Sequence, residues 1–160
     1  MTGFDVCGPL PTGVTVLEAS AGTGKTYTIA ALAARYVAEG TPLDQILLVT
    51  FTRMATGELR ERVRERLVSA ERGLGRALAG AGPDERDAVV RMLAEGPRED
   101  VELEHQLVFG GQLAFADLLE KSPRADEAGA GWDDEEPTRF GRLARRLWDG
   151  VLAHEAVTDE

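Results

Sequence analysis

The chain has 160 residues, 43% of them apolar, with 18 basic and 28 acidic side chains and a formal net charge of −10. That length allows one domain with a core, and a single cysteine, Cys7, excludes an intramolecular disulfide and suits a reducing compartment. No run of ~18 apolar residues is present to cross a membrane, and no basic region followed by an apolar one opens the chain, so a cytoplasmic setting without a membrane partner is expected. The charge is unevenly spread. Residues 1–82 carry nine basic and eight acidic side chains, a balance of +1, and residues 83–160 carry nine and twenty, a balance of −11. A polyanionic partner would prefer the first half. Only two basic residues are lysines, Lys25 and Lys121, so Lys25 reads more readily as a chemical group than as surface filler.

In chain order, residues 1–13 form an irregular lead-in with Pro9, Pro11 and Gly13 near its end. Residues 14–18 (Val14, Val16, Leu17, Glu18) read as a first strand. Residues 26–39 read as a helix with Ile29, Leu32, Ala33, Tyr36 and Val37 at helical spacing, closed by Gly40. Gly40, Thr41 and Pro42 make a turn, and the apolar run Ile46, Leu47, Leu48, Val49, Thr50 suits a buried parallel strand. Strand, helix and strand together predict a right-handed βαβ unit, hence an α/β fold with a small parallel sheet and flanking helices. A second helix is predicted over 55–72, with Leu59, Val63 and Leu67 as its buried stripe and Glu58 paired with Arg62. Arg60, Arg62, Arg64 and Arg66 are either its solvated surface or nucleic-acid contacts. Four glycines in 73–82 predict a break, and residues 84–95 predict a short amphipathic helix built on Val89, Val90, Met92 and Leu93. Gly129 to Glu136 read as a solvated loop, with a metal site at Asp133, Asp134, Glu135 and Glu136 as the alternative. Pro137 opens a final predicted helix through Trp148 to Leu152. The second half is thus expected to be acidic and more helical.

Between the first strand and first helix lies Ala19-Ser20-Ala21-Gly22-Thr23-Gly24-Lys25-Thr26. Small residues here let successive backbone N–H groups converge into an anion nest, and the helix behind them adds the positive end of its dipole. Lys25 would reach the β- and γ-phosphates of a nucleotide and Thr26 would hold Mg²⁺. The alternative is a glycine-rich turn with one lysine beside it. The usual first glycine of such a loop is replaced by Ala19. Residues Thr50, Phe51 and Thr52 follow the second apolar run. There an aromatic ring can stack on an unpaired base and hydroxyls can meet phosphate, or Phe51 can close a core.

The runs Leu17–Thr26 and Leu47–Val63 resemble motifs I and Ia of the UvrD/Rep branch of superfamily 1 helicases. Within that branch, the stretch from Leu17 to Gly40 is most similar to RecB, the helicase–nuclease subunit family of exodeoxyribonuclease V. The resemblance covers residues 4–100. It implies a P-loop NTPase (RecA-like) fold, ATP and Mg²⁺ as cofactors, and Gly22 to Thr26 wrapped around the triphosphate. It also implies single-stranded DNA held by Thr50, Phe51, Thr52 and Arg53, RecC- and RecD-like partner subunits, and a role in double-strand-break repair and recombination. The chain departs from the family pattern in several places. Arg53 and Met54 stand where many members have Asn-Lys, and Leu10-Pro11-Thr12 where an adenine-selecting glutamine is usual. No apolar strand ends in Asp-Glu, and neither the later helicase motifs nor a nuclease carboxylate cluster is seen. Residues 108–157 resemble the C-terminal end of RecC; alternatively, Ala114 to Leu119 echo a stretch that precedes the Asp-Glu motif of RecB chains.

These readings divide the chain into a helicase-like 1–107 and an acidic 108–160, as a truncated or joined reading frame would. The function expected is nucleotide binding without efficient hydrolysis. Two rivals stand beside it: a self-contained phosphate-loop hydrolase or kinase, and a non-catalytic interaction module.

Overall fold

The computed structural model describes residues 4–17, 24–50, 52–82 and 86–121. Among these it has four α-helices: α1 (Lys25–Ala38), α2 (Arg53–Leu78), α3 (Ala88–Ala94) and α4 (Arg98–Lys121), with a 3₁₀ turn at Leu43–Gln45. Their ends have local causes. Helix α1 stops at Gly40, whose φ of 96° only glycine adopts freely. The Gly40 N–H bonds Val37 O and the Thr41 N–H bonds Tyr36 O, a Schellman closure. Helix α2 begins at Thr52, whose hydroxyl accepts from Ala55 N at 3.1 Å, and ends in the same closure at Gly80 and Ala81. Asp87 caps α3 by accepting from Val90 N at 3.1 Å. Glu99 and Asp100 favour the start of α4 through its dipole.

The α/β expectation is overturned: the described residues are helical and contain no strand or sheet. The described parts of the segments read as strands, residues 14–17 and 46–50, carry no regular secondary structure and no ladder. Val14 and Val16 are 70% and 81% exposed, and Val49 is 62% exposed. The physical reason is that apolar, β-branched composition makes a segment fit for a sheet, but a strand exists only where a neighbour supplies the ladder. The two segments do not pair with each other, so no βαβ unit forms among the described residues. The final predicted helix and the loop at 129–136 lie outside the described residues.

What forms instead is a helical core. Helix α1 turns an alanine face (Ala30, Ala31, Ala33, Ala34, Ala38, with Val37) into it, while of the residues read at helical spacing Ile29 is exposed and Leu32 and Tyr36 are only half-buried. Small side chains let α1 approach α2 and α4 closely. The bulkier ones face a groove shared with Ile46, Leu47 and Leu48. The stripe Leu59, Val63 and Leu67 is buried as read, and Ala70, Gly73 and Leu74 extend it. Arg62 pairs with Glu65 at 3.1 Å and Arg64 with Glu61 at 3.3 Å, so Glu65 takes the place expected of Glu58. Glycine propensity predicted a break from Gly73, yet α2 runs on to Leu78. Gly73 lies against Val90 and Gly75 against His105, so tertiary packing overrides the local preference. Val89, Val90 and Leu93 of α3 are buried as expected, and α4 closes the core with Val101, Val108 and Gly111. No described helix is long and apolar enough to cross a membrane.

Gly57, on an open face of α2, offers a simple test of this packing. A Cβ there meets nothing within 4 Å, so Gly57→Ala should stabilise the chain by about 0.8 kcal/mol through helix propensity alone. A thermal melt that falls below wild type would contradict the exposed position.

Candidate nucleotide and nucleic-acid site

Of the residues read as a phosphate loop, Ala19, Ser20, Ala21, Gly22 and Thr23 lie outside the described residues, as do Glu18 and Phe51. Gly24, Lys25 and Thr26 are described. Gly24 takes a left-handed φ of 84° and is the N-cap of α1, which has no side-chain cap. Its carbonyl receives Thr28 N at 2.9 Å. Lys25 and Thr26 are the first two helical residues, Lys25 exposed and Thr26 half-buried. A helix start without a side-chain cap leaves first-turn N–H groups to other acceptors. A phosphate is one such acceptor, and the dipole favours its charge. Mg²⁺ has less support: Thr26 is the single ligand assigned, and no group of three His, Cys, Asp or Glu among the described residues is placed to hold a metal. The nucleotide would have to supply the remaining oxygens. Asp133 to Glu136 lie outside the described residues.

The nucleic-acid candidates gather at the start of α2. Thr50 precedes it, half-buried; Thr52 is its N-cap and Arg53 its first residue, both exposed. The Thr52 oxygen is engaged by Ala55 N, and Thr52 O accepts from the Thr56 hydroxyl at 3.0 Å. Thr52 therefore has a structural duty that its reading as a DNA contact did not include. Met54, beside Arg53, is 84% exposed.

Two arrangements near these residues were missed in the sequence. Arg66, only 8% exposed, was read among the α2 surface arginines. It donates through both terminal nitrogens to Asp87, at 2.7 Å from Nη2 to Oδ1, and its guanidinium lies 5.4 Å from the Tyr27 ring centroid. Burial pushes the Asp87 carboxyl up, but the Arg66 hydrogen bond, the Val90 N–H, the Arg66 charge and Ser69 together hold it below its ordinary value. This chain of contacts joins α3 to α2 and α2 to the first turn of α1. The signal was available: Arg66 stands three residues after Val63 and one before Leu67, on the inward stripe. The second arrangement is Arg35, 5% exposed on α1. It donates to Val6 O at 2.7 Å, to Gly8 O and to Glu39, while the Tyr36 hydroxyl donates to Pro11 O at 2.6 Å. Together they fasten the lead-in to α1.

Comparison with known proteins places this arrangement in a class. The UvrD/REP helicase N-terminal domain family matches residues 6–108, and the chain belongs to that family. Among individual proteins, it is 60% identical over 73 residues to the RecBCD enzyme subunit RecB of Mycolicibacterium smegmatis, a match covering 44% of this chain and 7% of the relative. It is 50% identical over 96 residues to the same subunit of Mycobacterium tuberculosis (strain CDC 1551 / Oshkosh), covering 58% of this chain and 8% of the relative. The RecB subunit of Escherichia coli K12 is 48% identical over 64 residues, 34% of this chain and 5% of the relative. The chain thus spans less than a tenth of the length of these relatives. No solved structure matches it.

Proposed function

We propose that this chain is the ATP-binding portion of a RecB-like DNA helicase subunit that acts in double-strand-break repair and recombination in the cytoplasm, beside RecC- and RecD-like subunits. In this reading residues 1–107 are the helicase part and 108–160 an acidic segment, the division falling within α4. Residues Ala19 to Thr26 cradle Mg·ATP, and Thr50 to Arg53 touch single-stranded DNA. The observation that carries the reading is the junction at Gly24. A run with phosphate-loop spacing feeds, through a left-handed glycine, into a helix without a side-chain cap whose first residues are Lys25 and Thr26. Bound Mg²⁺ would neutralise phosphate charge. Lys25 would pair with the β/γ oxygens, and the α1 amides would orient them.

The binding-only reading is supported by what hydrolysis demands. Hydrolysis also needs a water-orienting group, a second metal-holding carboxylate and an arginine on the developing charge, and loss of even one such group costs orders of magnitude. Asp117 of α4 forms an exposed i,i+4 pair with Lys121 at 2.7 Å. Titration calorimetry with Mg·ATP is expected to show weak binding that falls at least about tenfold in Lys25→Ala, because a charge-assisted contact is removed. Equal affinities would exclude Lys25 as a phosphate ligand. A phosphate-release assay with single-stranded DNA should stay at background in both forms; DNA-stimulated turnover lost in Lys25→Ala would overturn the binding-only reading.

A further inference from the structure

The junction of the lead-in, α1 and α4 gathers three carboxyl groups, Glu39, Asp100 and Glu104, around one arginine, Arg35. Arg35 is nearly buried on α1, and its terminal nitrogens are engaged by Val6 O, Gly8 O and Glu39. Across from it, α4 carries Glu104, whose Oε2 is removed from solvent and has no hydrogen-bond partner. The neighbourhood is acidic on both sides, with Glu39 at the C-cap of α1 and Asp100 one turn before Glu104 on α4. Tight apolar packing holds the same two helices together: a Cβ on Gly111 would lie 2.5 Å from Val37 Cγ1, and Val101 and Val108 are buried in the core. An ionised carboxylate with a sequestered oxygen opposes that approach, whereas a protonated one does not.

We propose that Glu104 makes the docking of α4 on α1 and the lead-in proton-operated, closed when Glu104 is protonated and loosened when it is ionised.

Burial above all, then the charges of Glu39 and Asp100, push the Glu104 carboxyl up to about 7 from 4.5, against the pull of Arg35. The direction of the pH effect follows. A carboxyl raised in the docked state favours docking fully below its ordinary value, and that advantage is lost as pH rises from 4.5 through about 7. The other charged groups around α4 are distinguishable. Asp44 of the 3₁₀ turn is exposed, Asp5 of the lead-in accepts from Cys7 N at 2.9 Å, and His105 points to Glu71 of α2 at 3.4 Å.

Hydrogen exchange of the full chain at pH 6, 7 and 8, corrected for intrinsic rates, tests this. Protection of the α4 amides over 101–112 should fall by up to about tenfold between pH 6 and 8, as one unit of linkage allows, while α2 amides over 59–74 change little. Glu104→Gln should abolish the trend and exceed wild-type protection at pH 8. His105→Gln, carried through the same series, should keep the wild-type trend. The same trend in Glu104→Gln, its loss in His105→Gln, or an equal fall throughout α2 would each overturn the proposal.

Discussion

Asp87→Ala is expected to destabilise the chain by about 3–5 kcal/mol, the cost of leaving a buried partner charge uncompensated. Asp87 and Arg66 have side chains only 13% and 9% exposed. Both terminal nitrogens of Arg66 are engaged with Asp87, and its Nε has no other partner. The substitution also removes the α3 cap on Val90 N, a loss of about 1 kcal/mol in its own right. Replacing both partners should hurt less than replacing one: Asp87→Ala with Arg66→Met no longer buries an unpaired charge. The pH dependence has a definite sign. Asp87 is held below its ordinary value of 3.8, so its contribution is complete above that value and is lost as pH falls through the lowered one. Urea unfolding at pH 7 and at pH 3 should therefore show a large gap between wild type and Asp87→Ala that narrows in acid. A gap below ~1 kcal/mol at pH 7, or one that is the same at both pH values, would remove the pair from the core.

The same residues show what was legible in the chain. Helices α1, α2 and α3 could be read because their apolar positions recur at helical spacing and their ends carry local signals, such as Gly40 after α1. The phosphate-loop reading rests on one contiguous run, Ala19 to Thr26, of which Gly24, Lys25 and Thr26 are among the described residues. The DNA-contact reading rests on the same kind of contiguity, and Phe51 within it lies outside the described residues. What could not be read depends on groups far apart in sequence. Ile46 to Thr50 have strand composition, but nothing in that composition reveals whether a neighbour is present. The α4 helix carries apolar residues on more than one side, including exposed Leu103, Phe109 and Leu113, and this blurred its periodicity from Gly96 onward. Arg66 was read as solvated surface or a nucleic-acid contact, and Arg35 was not singled out, because their partners, Asp87, Val6 O and Gly8 O, are more than 20 residues away.

Gly73→Ala should lower stability by up to about 2 kcal/mol, although the same substitution at Gly57, in the same helix, should raise it. Alanine gains about 1 kcal/mol of helix propensity at either site. At Gly73 the new methyl would sit well inside van der Waals contact with Val90 Cγ1 and 3.3 Å from its Cγ2. Val90 is 1% exposed and β-branched, so it cannot swing away, and overpacking of that kind costs about 1–3 kcal/mol. The strain would fall on α3, whose first residues are positioned by Asp87. Movement of α3 would therefore loosen the grip on Arg66 and, through it, the ring of Tyr27 at the start of α1. Val90→Ala removes both crowding methyls, so the double variant should recover most of the clash and leave only the loss of Val90 packing. A double-mutant cycle by urea unfolding measures this, with a coupling of about 1 kcal/mol or more expected in the favourable direction. Additive effects, or a Gly73→Ala chain as stable as Gly57→Ala, would mean that α2 and α3 do not meet at this glycine.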